Sequence, residues 1–132
     1  MRKKTRSLLF LLLTAIALTG CAAAVVGTAM VGTGAGTYLF VNGELKTDYY
    51  FSFDRVWSAT EKTVAAMRGT EVSPAKSIGS GTIDAVISGE KVRISVIYRD
   101  KEITNVGVRV GVIGDEAASK MIHGQILDNL KK

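Results

Sequence analysis

The side chains of this chain that could do chemistry are few and scattered. Its 132 residues include one cysteine, Cys21, and one histidine, His123. One imidazole and one thiol cannot furnish a nitrogen and sulfur ligand set for zinc, so neither a metal nor any other cofactor is expected. No serine sits in a Gly-x-Ser-x-Gly elbow, which leaves His123 without a hydroxyl to activate. Asp84, Glu90, Asp100, Glu102, Asp115 and Glu116 could in principle pair as acid and base. Most of them fall in turns or at a helix start, where solvation and capping account for them. Catalysis is therefore not expected, and the binding candidate is Arg109. Gly107 and Gly111 flank it two positions away on either side, so on the outward face of a strand they would expose backbone around a guanidinium. A guanidinium binds carboxylate or phosphate in a fork. Tyr50, on the outward side of its strand, is a candidate aromatic anchor for the same partner. The competing reading pairs Arg109 with Asp115, Glu102 or Asp84.

Cys21 has a more specific setting. Arg2, Lys3, Lys4 and Arg6 precede an apolar run from Leu8 to Leu18 that is broken only by Thr14 and is too short to span a bilayer, the pattern of a secretion signal. The residues Leu18-Thr19-Gly20-Cys21 that follow resemble a bacterial lipobox, whose cysteine is acylated, for instance with palmitate, and becomes the first residue after cleavage. Cys21 is thus the expected lipidation site and the membrane the first expected partner. Ala22 is not the aspartate that resembles an inner-membrane retention signal, so the expected location is the outer membrane, facing the periplasm.

Cleavage would also change the charge balance. Of 17 basic residues against 12 acidic, four basic ones lie before Cys21. The remaining balance of 13 to 12 gives no electrostatic case for nucleic acid. Residues 1–20 thus read as a signal peptide and 21–41 as the lipidated cysteine with an uncharged, Gly-rich tether. Residues 42–132 read as one folded domain without disulfides.

Within that domain the hydrophobic period switches several times. Leu45, Thr47, Tyr49, Phe51 and Phe53 alternate with polar neighbours and predict a strand over 44–51. Val56, Thr60, Val64 and Met67 recur at helical spacing after a cap at Ser52 or Asp54, and Gly69 closes that helix. Three more alternations follow, on Ile83–Ile87, Val92–Tyr98 and Val106–Val112, with Ser88-Gly89 as a hairpin turn. Asp115 is placed to cap a last helix whose stripe is Ala118, Met121, Ile122, Ile126 and Leu130, with His123 at the stripe's solvated edge. The expected fold is α+β, a two-layer sandwich in the order β-α-β-β-β-α. Its four-stranded, mainly antiparallel sheet carries both helices on one face.

Thr104, Arg109, Val110, Gly111, Gly114, Asp115 and Ser119, in "TNVGVRVGVIGDEAAS", resemble the closing motif of an uncharacterised family of small bacterial lipoproteins. The segments "GTIDAVISGEKVRISV" and "FDRVWSAT" are similar to it too, so the resemblance covers about 42 to 130. It implies the architecture and the compartment and supplies no chemistry. The resulting expectation is a non-enzymatic, lipid-anchored envelope protein that binds a protein partner or serves a structural role at the outer membrane. The alternative is a small-ligand or glycan binder using the same Arg109 face.

Overall fold

In the computed structural model of the chain, the described residues are 34–132. Cys21, the signal segment and most of the tether lie outside them. β1 (Leu39–Val41) and β2 (Glu44–Tyr49) form a hairpin about Asn42-Gly43. Those two residues have φ of 52° and 80°, the left-handed pair that a type I′ turn demands and that Asn-Gly reaches most easily. Helix α1 (Phe53–Ala66) then crosses the sheet to β3 (Thr70–Ser77), β4 (Ser80–Ile87), β5 (Glu90–Asp100) and β6 (Ile103–Val110). Helix α2 (Glu116–Lys131) closes the fold.

Among the described residues the sheet has six strands, not four, and the order is β-β-α-β-β-β-β-α. Across the sheet the strands run β1-β2-β6-β5-β4-β3, each neighbouring pair antiparallel. The expected four-stranded sheet is corrected by the two edge strands, and both escape the sequence for physical reasons. β1 has three exposed residues inside an uncharged run. Every residue of β3 is exposed, and Pro74 stands in its middle, so it shows no alternation. Proline is tolerated there because an edge strand leaves half its amides unpaired. What holds of the expectation is the α+β class.

The core lies between the sheet and the helices. Leu45, Tyr49, Ile83, Ile94, Val96, Val106 and Val108 are all buried. The register pairs Leu45 with Val108, Val108 with Ile94 and Ile94 with Ile83, so they form rows on one face. Each fully buried aliphatic side chain contributes about 1.5–3 kcal/mol. Helix α1 presents Val56, Trp57, Ala59, Thr60, Thr63 and Val64 to this core. The Thr60 and Thr63 hydroxyls donate to the Val56 and Ala59 carbonyls, both at 2.8 Å, so the stripe buries them without loss of hydrogen bonding. Trp57 packs on Gly81, where a Cβ would overlap its ring.

Of the expected helix ends, the cap of α2 is as expected and the ends of α1 are not. Asp115 accepts from the Ala118 amide at 2.9 Å, as a cap should. Ser52 makes no side-chain cap bond. The left-handed residue that ends α1 is Arg68, with φ 54°, not Gly69. Gly69 is needed instead for space, since a Cβ there would stand 2.7 Å from Val64 Cγ1.

Candidate functional site

The face of the sheet turned away from the helices is open. Asp84 on β4, Arg93 on β5 and Arg109 on β6 are consecutive register partners, so one row carries a carboxylate and two guanidinium groups. Asp84 takes Arg93 in a fork, Nε to Oδ1 at 2.7 Å and Nη2 to Oδ2 at 3.2 Å. This neutralises the central position of the row and holds the Arg93 pKa above its usual value, first through the hydrogen bond. Arg109 does not join an ion pair with Asp115, Glu102 or Asp84. Its Nη2 donates to the Asn42 carbonyl in the β1–β2 turn.

That bond clamps a close backbone contact. A Cβ on either Gly43 or Gly114 would collide with the other turn's backbone, so Asn42-Gly43 and Ile113-Gly114 meet main chain to main chain. Both glycines are there for close approach, and Arg109 fastens the meeting point. Its other donors remain on the surface beside an open depression of about 440 Å³, whose lining includes Lys91, Arg93 and Arg109, the carboxylates of Glu71 and Asp84, and Val112. Gly111 ends β6 with φ 74° and donates its amide to Lys91 O at 2.8 Å.

The other two residues of the expected strip are placed differently. Gly107 does not expose its backbone. The Glu44 carboxylate lies across it, accepting from Ser95 Oγ at 2.7 Å and pairing with Lys46 Nζ at 3.3 Å. Tyr50 is half-exposed but stands just past the far end of β2, about 20 Å along the strand from the Arg109 row at the usual rise. The structure thus brings Arg109 and Gly111 together, fills the notch at Gly107 and leaves Tyr50 apart. Cys21 is outside the described residues.

Sequence reasoning missed Lys91, Arg93, Val112 and Ile113 at this site. Val112 continues the β6 alternation in sequence, whereas the strand ends at Val110. Val112 and Ile113 are 89% and 90% exposed, and the signal for them was the bracket of Gly111 and Gly114 around two bulky apolar residues. His123 is fully buried, not at a solvated edge. Its Nε2 is 2.8 Å from Leu45 O, an acceptor only, which assigns the proton there. Nδ1 then accepts from Tyr49 Oη at 2.8 Å. Burial pushes the Tyr49 pKa far up and that of His123 down to about 4, with the Leu45 bond opposing the latter. Both side chains are consumed in a sealed network with no substrate access. Among the described residues no three His, Cys, Asp or Glu side chains gather as a metal set.

These features define a class: a two-layer α+β domain with one sealed face and one open, charged face bordered by apolar loops. The family whose profile matches residues 4–129 is described as Protein of unknown function (DUF3568), and the chain belongs to it. No curated protein matches the chain.

Proposed function

We propose that this is a lipid-anchored envelope protein, acylated at Cys21, that works without catalysis as a protein-binding accessory on the periplasmic side of the outer membrane. The observation that supports binding is the pairing of a fixed guanidinium at Arg109 with the bare side chains of Val112 and Ile113 beside it. A protein partner would gain apolar burial from the loop and orientation from the guanidinium, the combination that makes an interface anchor. The anchor itself is supported by the basic and apolar residues that lead into Leu18-Thr19-Gly20-Cys21.

In-cell photocrosslinking from position 109, with the anchor intact, tests the reading. The expected result is capture of one dominant envelope protein. Absence of capture at 109, while control positions crosslink, overturns it. A second reading, small-ligand or glycan binding, is favoured by the depression between Lys91, Arg93 and Arg109, whose volume falls within the usual range of small-molecule sites, about 300–1,000 Å³. Purified protein would then bind an anionic ligand or glycan directly and lose it in Arg109→Ala.

A further inference from the structure

The end of the sheet opposite Arg109 carries its own exposed apolar groups, set in or next to one row of register partners. Tyr98, Thr104 and Tyr49 are register partners across β5, β6 and β2. At one side the row continues through Ala35, which bridges to Tyr49, and Gly34, whose carbonyl accepts the Tyr50 amide at 2.9 Å. At the other it continues through Gly79, whose carbonyl accepts the Tyr98 amide at 2.8 Å. Next to Gly79, at the tip of the β3–β4 hairpin, Ile78 is fully exposed, and Tyr98 and Tyr50 are 49% and 48% exposed. An open groove of about 800 Å³ between the hairpin tip and the start of α1 adds Phe53 to the same end. From Ala35 to Gly79 the row is four strand spacings wide, about 19 Å.

We infer that this end of the domain rests on the lipid surface, with Ile78 entering the acyl boundary and Tyr50 and Tyr98 at headgroup level. The inference deepens the anchoring reading and rests on acylation of Cys21. Its main support is where the described chain begins. Gly34, which leads back toward Cys21, lies at the same end of the sheet as the exposed groups, so an anchored chain delivers this end to the bilayer first. Presenting the Val112-Ile113 end instead would draw the 13 positions from Cys21 to Gly34 along the length of β6 from Thr104 to Val110, about 20 Å, an ordering cost that the opposite orientation avoids. Residue types agree as well. Tyrosine is the side chain that places an apolar ring and a polar tip across a membrane–water boundary, and an isoleucine at a hairpin tip buries on lipid what it cannot bury in the domain.

Charge makes the inference sharper. Lys76, Arg99 and Lys101 at this end are matched by Asp54, Asp100 and Glu102, with Lys76 Nζ 3.2 Å from Asp54. Contact therefore depends on apolar insertion and not on anionic lipid. The test uses the mature, acylated protein reconstituted in phosphatidylcholine vesicles. A single cysteine at Ile78→Cys or, as control, Ile113→Cys carries an environment-sensitive fluorophore. Both sites are exposed, so neither substitution threatens folding. The expected result is blue-shifted emission at 78, quenched by nitroxide-bearing lipids and unchanged by added salt, with water-like emission at 113. Water-like emission at both positions in acylated protein overturns the orientation and leaves the anchor standing. If mass spectrometry finds Cys21 unacylated in the envelope fraction, the anchor falls and the orientation with it.

Discussion

His123 carries a cost that can be measured. Its imidazole is buried against Tyr49 and Leu45, and the Tyr38 ring meets it edge-on at 5.3 Å. With its pKa lowered from 6.5 to about 4 by desolvation, the folded chain refuses a proton that the unfolded chain accepts below pH 6.5. Stability is then complete above pH 6.5 and declines as pH falls toward 4. At about 1.4 kcal/mol per unit, roughly 2 kcal/mol should be lost between pH 6.5 and 5, before most carboxylates titrate. Urea unfolding across that range reads the slope directly, and a flat profile would mean that the imidazole is solvated. Hydropathy draws the stripe of α2 with His123 at its edge. Spacing alone does better: Ser119, Ile122, His123, Ile126 and Leu130 are the buried set, a clean helical face that includes two polar residues and omits Met121. What covers His123 is a tyrosine 74 positions away and Tyr38, just ahead of β1, and no local pattern announces either.

At the scale of elements, the edge strand β3 is the feature that most needs protection. It is eight residues long and exposed throughout, so unguarded it would template pairing between molecules. A two-residue loop closes the hairpin between the partners Ser77 and Ser80. Hydrogen-bonded positions on β3 therefore run through Ser77 and Ala75, and Lys76 and Pro74 direct their backbone outward. Proline offers no amide at one outward position, a lysine guards the next, and the register shift between Thr70 and Ser73, with Glu71 at φ 51°, breaks the edge further along. The double substitution Pro74→Thr with Lys76→Thr should leave the core intact and make the chain associate, seen as a larger species in size-exclusion chromatography with light scattering. A monomer indistinguishable from the parent would show that the bulge alone suffices. The same devices explain what was legible. Strands with one buried face announce themselves by alternation, as β2, β4, β5 and β6 do. A guarded edge strand is built from residues that suppress the pattern, so β3 reads as a loop for the reason that makes it safe. β1 escaped differently, although Asn42-Gly43, a strong hairpin signal in sequence, stood at the point taken as the start of the domain.

At the scale of the molecule, the two exposed apolar ends are separated along the strands. Val110, the last residue of β6, lies six positions beyond Thr104, which sits in the row with Tyr98 and Tyr49, about 20 Å at strand rise, and Val112 stands in the turn past it. The sequence could not show this separation, because Tyr50 and Arg109 belong to strands whose pairing is fixed only by the fold. β2 meets β6 across more than fifty residues, and the antiparallel register puts Tyr50 and Arg109 at opposite ends of that pair. The domain is bipolar if one end faces lipid and the other a protein. Photocrosslinkers placed in turn at 109, 112, 113, 78 and 50 should then divide into two groups. Positions 109, 112 and 113 should capture the same protein, because Arg109 and the Val112-Ile113 loop share one surface clamped by the Asn42-Gly43 turn. Positions 78 and 50 should capture lipid and not that protein. The same protein captured from both groups would require a partner that wraps the sheet from end to end, and the division of labour between the two ends would fail while the binding role survived.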